Sequence, residues 1–453
     1  MSEMKQFSRR QFMHKSAMAG AAVPCFVSAA ALGQPGKPGA NDRIQVGLIG
    51  AGGQGRGNLG AAAGFPEVVV TAICDVSQSR LNAAIRPYKK TAKPYHDYRE
   101  LLAAKDVDAV VIATPPHWHC RQCVDAAEAG KDIYQQKPLS LYPAESLAMK
   151  RAVEKHKRIC QIGTQMHTCD NYRRILAEVR SGKLGKISVV RTINVLNQGP
   201  EGVGKAPPTK TPEGLDWNLW VGPSPMVPFN PTLARSSYWH SSWMDFGGGW
   251  IPCMAPHIID MPYWALNLGL PLVTSCSGGR YIIDDDGDCP DVEEVLWQYP
   301  NLTMTHMMSM VNSYAWDAGS GKPGRRIGMY FHGVDGTLFG NYSACQITPE
   351  GDRMKDAPEV KVPELEEPLK SMAPTRRNVR DWLDSIRTRK QPGASISYHY
   401  KIGMAIALAN LSLKLGRSVR VDPKTEKIVG DDAAAKAAVP QYRDPWKFPA
   451  EYL

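Results

Sequence analysis

Short apolar runs alternate with helical periodicity along the first third of the chain after residue 43. Residues 44–49, 68–74 and 108–114 are continuous apolar runs of strand length, and each is followed by a segment with the spacing of a helix. Continuous apolar strands are typical of parallel sheets that helices cover on both faces. We therefore predict an α/β domain with a doubly wound parallel sheet over residues 43–165.

The pattern changes after residue 166, where longer segments alternate between apolar and polar positions. Alternation is typical of an antiparallel sheet with one exposed face, so residues 166–453 are predicted to form an α+β domain with a large, open-faced, mainly antiparallel sheet. Proline and glycine crowd residues 199–231, which predicts a long surface excursion, and the tail after residue 422 is predicted as loop. The predicted strands are 186–195, 292–299, 302–311 and 327–331, and the predicted helices are 171–180, 377–388 and 400–415.

A glycine-rich turn follows the first predicted strand and has the spacing G-x-G-x-x-G. Gly50 suits the tight turn, Gly52 lets the backbone approach a pyrophosphate, and Gly55 lets the next helix pack closely on the strand. The N-terminus of that helix offers free N–H groups to phosphates. This order of strand, turn and helix predicts a dinucleotide-binding Rossmann domain. The predicted cofactor-binding residues of the turn are Gly50, Gly52, Gly53, Gln54 and Gly55.

An acidic residue ends the second predicted strand. Asp75 lies 20 residues after Gly55, where a carboxylate accepts the hydroxyls of an adenine ribose and repels a 2′-phosphate. We therefore expect NAD as cofactor, with NADP disfavoured. Thr114, Lys137 and Gln165 fall at or just past the ends of other predicted strands, where ligands bind in sheets of this kind.

The first 33 residues differ in kind from the rest. Ser8-Arg9-Arg10 begins a twin-arginine pattern, and a mildly apolar, alanine-rich stretch follows it. We predict a twin-arginine signal peptide over residues 1–33 and a linker over 34–42, and hence a periplasmic or otherwise exported protein; a disordered basic tail is the alternative. No later apolar run is long enough to cross a membrane, so no span is expected in the mature form.

Charge and cysteine content exclude other classes. The net charge of +10 is spread along the chain without a dense basic block, which argues against nucleic-acid binding. The ten cysteines show no regular framework. Cys120 and Cys123, beside His117 and His119, form the most metal-like cluster, but the two cysteines open a predicted helix and suit helix packing. We predict no metal.

Several further motifs accompany the glycine turn. They are Thr114-Pro115-Pro116-His117-Trp118-His119, Gln136-Lys137-Pro138, Gly163-Thr164-Gln165, and Gly247-Gly248-Gly249 followed by His257 and Asp260. Together these motifs resemble the glucose-fructose oxidoreductase, inositol dehydrogenase and MocA (Gfo/Idh/MocA) family over nearly the whole chain after residue 43. The resemblance implies a Rossmann domain that holds NAD or NADP and a C-terminal open-faced sheet that supplies the substrate site and an oligomer contact.

The family's usual chemistry is hydride transfer between a sugar or polyol carbon and the nicotinamide. By resemblance Lys137 binds and polarises the reacting hydroxyl, and His257 acts as acid/base. The resemblance also implies cofactor contacts from Thr114, Pro115, Pro116, His119, Gln136, Lys137 and Gln165.

Two positions depart from the family pattern. Gln136 stands where members commonly carry Glu, and Cys253 stands where they commonly carry Asp, four residues before the histidine. Both changes remove a carboxylate from the expected site, which leaves Lys137 with fewer anionic neighbours. The losses are also compatible with an absence of dehydrogenase activity.

Aromatic and polar residues precede the glycine run of the second domain. Trp239, His240 and Asp245 suit a carbohydrate ring, with a stacking face beside hydrogen-bonding groups, although core packing explains the tryptophan equally well. With Lys137, Cys253 and His257 they complete the predicted substrate site.

These features lead to three functional hypotheses. The first is an exported, homo-oligomeric NAD-dependent oxidoreductase that acts on a sugar, polyol or glycoside. Because an exported enzyme has no evident supply of free NAD, the second is a redox-neutral glycoside hydrolase or lyase with tightly bound NAD. The third is a catalytically silent carbohydrate-binding protein.

Overall fold

Two β-sheets organise this computed structural model, which describes residue 39 and residues 42–235, 238–313 and 327–453. The twin-arginine pattern and almost all of the predicted linker lie outside the described residues. Among the described residues, no helix has both the length and the hydrophobicity that a membrane crossing requires.

The first sheet has six parallel strands in the order β3-β2-β1-β4-β5-β6. This order reverses direction between β1 and β4, which is the arrangement of dinucleotide-binding Rossmann domains. Its inner strands β1 and β4 are almost wholly buried, as their continuous apolar sequences require. The strands are β1 Ile44–Ile49, β2 Val68–Cys74, β3 Lys93–Tyr95, β4 Ala109–Ile112, β5 Asp132–Gln135 and β6 Cys160–Ile162.

The second sheet has nine strands in the order β13-β12-β11-β7-β10-β9-β8-β14-β15. One pair, β7 with β10, is parallel, and the other neighbouring pairs are antiparallel. The predicted class of a mainly antiparallel, open-faced sheet is confirmed. The strands are β7 Ile187–Val195, β8 Val273–Gly279, β9 Val292–Gln298, β10 Thr303–Ser309, β11 Ile327–Gly333, β12 Gly336–Gly340, β13 Cys345–Pro349, β14 Val419–Asp422 and β15 Lys427–Ile428.

Helices pack against both sheets. The α-helices are α1 Gly53–Ala63, α2 Gln78–Ile85, α3 Tyr98–Ala103, α4 His119–Glu128, α5 Pro143–Lys155, α6 Asp170–Arg180, α7 Trp217–Val221, α8 Pro231–Ala234, α9 Met244–Gly247, α10 Trp250–Met254, α11 Pro256–Leu266, α12 Pro374–Thr388, α13 Ile396–Leu415 and α14 Asp432–Ala437.

Two segments from the C-terminal part pack on the Rossmann half. Helix α12 buries Trp382 and Leu383 in the apolar cluster that contains the core of β1. The tail buries Trp446 and Tyr452 against α4 and its neighbours. The prediction that the tail after residue 422 is loop is wrong, because it includes β15 and α14, and its last residues are anchored by buried rings.

The prediction of a surface excursion over residues 199–231 is also wrong in its central part. Helix α7 buries Trp217, Trp220 and Val221 in a cluster with Phe229 and Phe246. Proline and glycine indicate irregular backbone, but the tryptophans between them supply the apolar area that holds this segment down.

Candidate active site

A cavity of about 590 Å³ lies at the C-terminal ends of β1, β2, β4, β5 and β6, where the second domain closes over them. Its volume is in the usual range for cofactor and ligand sites. The described residues around it come from the glycine turn, the ends of the other parallel strands and the segments that follow them, residues 196–257 of the second domain, and Thr375. One cavity therefore joins the predicted cofactor site to the predicted substrate site.

The glycine turn is built for a close approach of backbone to ligand. Gly50 has a φ of +89°, and a Cβ there would lie 2.7 Å from the backbone of Thr114. A Cβ on Gly55 would lie 2.0 Å from the carbonyl oxygen of Gly50, so this glycine permits helix–strand packing. No side chain caps the N-terminus of α1, and its first turn holds no acidic residue. The free N–H groups there fit a pyrophosphate.

Asp75 lines the cavity at the end of β2 with a carboxylate that is 8% exposed. It accepts hydrogen bonds from the backbone N–H of Ala51 at 2.7 Å and of Ser77 at 2.8 Å. Burial raises its pKa, an effect that these N–H groups and Arg80 partly offset. Each carboxylate oxygen keeps acceptor capacity, so the group fits the hydroxyls of an adenine ribose.

Most predicted cofactor residues line the cavity, and three do not. Gly53 and Gly55 lie in α1, where Gly55 supports packing. His119 is buried away from the cavity, with Nδ1 2.6 Å from the carbonyl oxygen of Pro138 and Nε2 2.9 Å from that of Thr114. It joins two cofactor loops and is not placed to contact the cofactor itself. The lining residues are Gly50, Gly52, Gln54, Asp75, Thr114, Pro115, Pro116, Gln136, Lys137 and Gln165.

Lys137 and His257 meet at the same cavity from opposite domains. The Lys137 ammonium donates to the carbonyl oxygen of Cys253 at 2.6 Å. Burial and the neighbouring Lys137 lower the pKa of His257 to about 3, although Asp260 acts in the opposite direction. The ring is therefore neutral at neutral pH, and its buried Nδ1 has no hydrogen-bond partner among the described residues.

Cys253, which stands where the family commonly carries Asp, contacts Lys137 through its backbone. The Cys253 side chain lines the cavity and is nearly buried, while the backbone carbonyl of the same residue holds Lys137. Cys253 lies in α10, and His257 lies in the next helix, α11. The two residues therefore do not share one helix, although their four-residue spacing suggests that they do. Residue 253 therefore holds Lys137 through a neutral carbonyl and supplies no negative charge to it.

Gln136 belongs to a chain of amides that the sequence does not reveal. Gln54 donates to Asn58 at 2.9 Å, and Asn58 donates to Gln136 Oε1 at 3.3 Å. Asn58 is buried in the cavity wall on α1. The i, i+4 spacing of Gln54 and Asn58 is the sequence signal that was available, since both then lie on one helix face.

A buried polar cluster lies behind His257. The Asp260 carboxylate is fully buried and contacts His167 Nε2 at 3.0 Å and the Tyr398 hydroxyl at 2.6 Å. Burial alone raises the pKa of Asp260, but His167 and His399 outweigh it and hold this pKa well below its usual range. A fixed negative charge therefore lies three residues after His257 on α11.

Residues 214–234, which we call the strap, cross the cavity beside Asp75. The Asp216 N–H donates to the carbonyl of Val76 at 3.0 Å, and the Gln78 N–H donates to the carbonyl of Gly214 at 2.8 Å. Arg80 donates to the carbonyl of Ala234 at 2.8 Å. Both ends of the strap are thus bonded to the segment after β2, and Leu219, Trp220, Leu233 and Ala234 form the wall between them.

The predicted substrate residues are only partly brought together. His240 lines the cavity with Lys137, Cys253 and His257, and burial lowers its pKa to about 3. Asp245 is exposed and Trp239 lies behind the lining, so neither is placed as predicted. Tyr238, which precedes the short helical turn Trp239–Ser242, lines the cavity, and Trp239 does not.

Both halves of the chain match one family. Residues 44–164 match the NAD-binding Rossmann-fold model of the Gfo/Idh/MocA oxidoreductases, and residues 330–448 match the C-terminal alpha/beta domain model of the same family. The two matches together cover more than half of the chain. The chain belongs to the Gfo/Idh/MocA oxidoreductase family. Its N-terminal domain is accordingly an NAD-binding Rossmann domain.

Relatives of this family member include hydrolases and dehydrogenases. A glycosyl hydrolase family 109 protein of Saccharopolyspora erythraea is 30% identical over 210 residues, which are 41% of this chain and 45% of the relative. An inositol 2-dehydrogenase of Salmonella typhimurium is 32% identical over 145 residues, which are 32% of this chain and 43% of the relative. The chain thus spans less than half of the length of these two curated relatives.

Solved structures share the fold. The WlbA dehydrogenase of Bordetella pertussis, in complex with NADH and UDP-GlcNAcA, superposes with a TM-score of 0.62 at 15% identity, over 85% of this chain and 99% of that one. A levoglucosan dehydrogenase in complex with NADH and levoglucosan gives 0.56 at 19% identity, over 86% and 100%. At these identities the likeness establishes the architecture alone.

Proposed function

We propose that the protein is an NAD-dependent oxidoreductase that acts on a CH–OH group of a sugar, polyol or glycoside. The observation that carries this proposal is the meeting of Lys137 and His257 in the cavity that also contains the glycine turn and Asp75. Family membership also supports the proposal, since relatives include an inositol 2-dehydrogenase. The placement of this chain's own residues supports the proposal.

Lys137 is placed to bind the reacting hydroxyl. An ammonium group has three N–H donors, and the carbonyl of Cys253 occupies one of them. The remaining donors are available to a substrate oxygen, and the bond to the Cys253 carbonyl fixes the direction of the group. Lys137 therefore orients and polarises the hydroxyl.

His257 is placed to accept the proton. Its ring is neutral at neutral pH and so has a nitrogen that can accept a proton; the protonated ring is disfavoured by burial and by Lys137 and favoured by Asp260. NAD, held by the glycine turn and Asp75, supplies the hydride acceptor when bound. The fit of these residues to NAD rests on the uncapped helix N-terminus and the cavity-facing carboxylate described above.

A redox-neutral cycle with resident NAD is the second candidate, and the strap favours it. An enzyme that oxidises a hydroxyl of a glycoside, uses the increased acidity of the neighbouring C–H to eliminate the aglycone, adds water to the double bond that remains and then reduces the carbonyl again consumes no cofactor. Such a cycle requires that the cofactor stays bound. The backbone and side-chain contacts that join the strap to residues 76–80 support slow cofactor release.

Turnover assays separate the candidates. Purified protein is incubated with NAD and a panel of free sugars, inositols and aryl glycosides, while NADH absorbance and released aglycone are both followed. Accumulation of NADH with a free sugar or polyol supports net oxidation. Aglycone release without net NADH supports the redox-neutral cycle. Carbohydrate binding without either signal, under every acceptor tested, contradicts both and leaves a carbohydrate-binding protein.

We also propose that the protein is exported and that it forms a homo-oligomer. The twin-arginine pattern at Arg9 and Arg10 supports export of the folded, cofactor-loaded protein. A fusion to a fluorescent reporter is expected in the exported fraction, and the Arg9→Lys, Arg10→Lys double variant is expected to stay inside the cell. Equal distribution of the two forms contradicts export by this route.

A further inference from the structure

Two stacked aromatic rings stand at the mouth of the cavity. The Tyr238 side chain lines the cavity and yet is 49% exposed. Its ring lies 5.7 Å from that of Trp239, with an angle of 16° between the planes, and 6.5 Å from the ring of Trp250 in the cavity wall. An exposed aromatic ring at the rim of a ligand cavity offers a flat apolar surface to whatever extends out of that cavity.

The Tyr238 ring is held from behind. The Arg235 guanidinium lies 5.6 Å from the centre of the Trp239 ring, on which Tyr238 stacks. The Tyr238 carbonyl accepts the Ser241 N–H at 3.0 Å, which closes the short helical turn. A ring supported in this way loses little freedom when a ligand stacks on it, so binding is favoured.

A second apolar element lies at the rim. The Asp291 carboxylate accepts the backbone N–H groups of Tyr281, Ile282 and Ile283 at 3.1, 2.7 and 2.8 Å. This turn leaves the Tyr281 side chain 67% exposed and that of Ile282 55% exposed. Ile282 is a spatial neighbour of Gly199, the residue that follows the cavity-lining Gln198, since a Cβ on Gly199 would lie 3.4 Å from its side chain. An acidic anchor therefore presents apolar side chains outward beside the cavity.

We propose that Tyr238 forms a second-ring subsite and that the substrate is a glycoside. In this arrangement the reacting sugar lies at Lys137 and His257, and the ring attached to it stacks on Tyr238. The stacking partner is a ring with a flat apolar face, either a second sugar or an aromatic aglycone. The inference rests on the proposed function, because that function places the reacting sugar at the inner end of the cavity.

A free monosaccharide as substrate would not account for the exposed aromatic rings at the rim. It would be held at Lys137 and His257 and would leave the rings at the rim exposed to water. A longer substrate covers them and gains the apolar area. The subsite therefore selects for substituted sugars over free ones.

Calorimetric binding to the NAD-loaded protein tests the subsite. The probes are p-nitrophenyl glycosides of glucose, galactose, N-acetylglucosamine and N-acetylgalactosamine, the matching free sugars, and the disaccharides cellobiose and lactose. We expect at least one glycoside to bind more tightly than its free sugar. In Tyr238→Ala that glycoside should lose about 3- to 10-fold in affinity, the usual worth of one aromatic stacking contact, and its free sugar should not.

Two control variants define the result. Tyr238→Phe keeps the ring and should bind like the parent, and Val334→Ala, a truncation of a 52%-exposed side chain away from the cavity lining, should change nothing. Preference for aryl glycosides over disaccharides identifies an aglycone site, and the reverse identifies a second sugar site. Equal loss for free sugars and glycosides, or a Phe variant as weak as the Ala variant, overturns the subsite.

The remaining outcomes separate this inference from the proposed function. A parent that takes up NAD but binds no glycoside more tightly than its free sugar overturns the subsite alone. A parent that releases no nucleotide on denaturation and shows no thermal shift on adding NAD overturns the proposed function, while Tyr238-dependent glycoside binding in that protein would leave the subsite standing. A change of oligomeric mass in Tyr238→Ala without any effect on glycosides assigns the rings to a protein contact and overturns the subsite.

Discussion

The strap leads to a quantitative prediction about cofactor release. Asp216 holds the strap at two points beside the ribose end of the cavity. Its Oδ1 accepts the Leu219 N–H at 2.8 Å and caps α7, and its Oδ2 lies 3.2 Å from Nε2 of His96. Leu219 lines the cavity, so release of this cap loosens the wall that covers the cofactor. We therefore expect Asp216→Ala to accelerate the loss of NAD.

The magnitude follows from the two contacts. Loss of an N-cap side chain costs about 1 kcal/mol. The pair with His96 is half exposed and contributes about 0.5 kcal/mol or less after screening by solvent. If both contacts stabilise only the closed strap, release of the cofactor accelerates about tenfold, because about 1.4 kcal/mol corresponds to that factor. Asp216→Asn keeps the cap and should show an increase of about twofold.

Release is measured by following NADH fluorescence after mixing the NADH-loaded protein with an excess of NAD. Asp431→Ala is the matched control, since Asp431 also caps a short helix, at Ala434, and pairs with Arg417, but the helix that it caps supplies no lining residue, whereas α7 supplies Leu219 and Trp220. Both alanine variants should lose similar thermal stability, and only Asp216→Ala should release the cofactor faster. Equal release rates in the two variants would refute a role of the strap in cofactor retention.

Three further predictions concern other parts of the molecule. Lys137→Met should lower kcat by about 10³-fold with an unchanged thermal shift on adding NAD, and a parallel loss of both would contradict a role limited to the substrate hydroxyl. Burial raises the pKa of Glu293 to about 8, so the contribution of its protonated form to stability is present below the unfolded pKa of about 4.5 and is lost as the pH rises through 8. The melting temperature of Glu293→Gln should therefore fall less between pH 5 and pH 8 than that of the parent. Parallel curves of melting temperature against pH would contradict this account. The open-faced sheet is proposed as the oligomer contact. Leu296→Glu, at a 41%-exposed position of β9, should therefore lower the mass measured by light scattering, and the control Val334→Glu, near the end of β11, should not. An unchanged mass for Leu296→Glu would exclude this face as the oligomer contact.

The Rossmann half could be predicted closely because its signals are local. The apolar runs, the glycine spacing and the acid at Asp75 lie within a few residues of the structures that they produce, and the strand order follows from repeated βα units. In the second sheet the approximate positions of β7, β9, β10 and β11 were predicted, and those of β8 and β12 to β15 were not. The parallel pairing of β7 with β10 was not, because it joins segments more than one hundred residues apart and leaves no local pattern.

The parts of the site that could not be predicted from the sequence depend on tertiary contacts. The strap has the composition of a loop, and its burial is decided by the tryptophans that meet residues far away in the sequence. The choice between Tyr238 and Trp239 depends on the direction of one short helical turn. His119 follows the cofactor motif in sequence, but both of its ring nitrogens lie against backbone carbonyls, which only the folded loops bring together.

The most direct test of the central claim is a denaturing extraction of the purified full-length protein, with the released small molecules identified by mass and ultraviolet absorbance. The account predicts NAD or NADH, in amounts close to one per chain if the strap retains it, and a thermal shift on adding NAD after the site has been emptied. A protein that releases no nucleotide and shows no thermal shift with either NAD or NADP would contradict the assignment of the cavity to a nicotinamide cofactor.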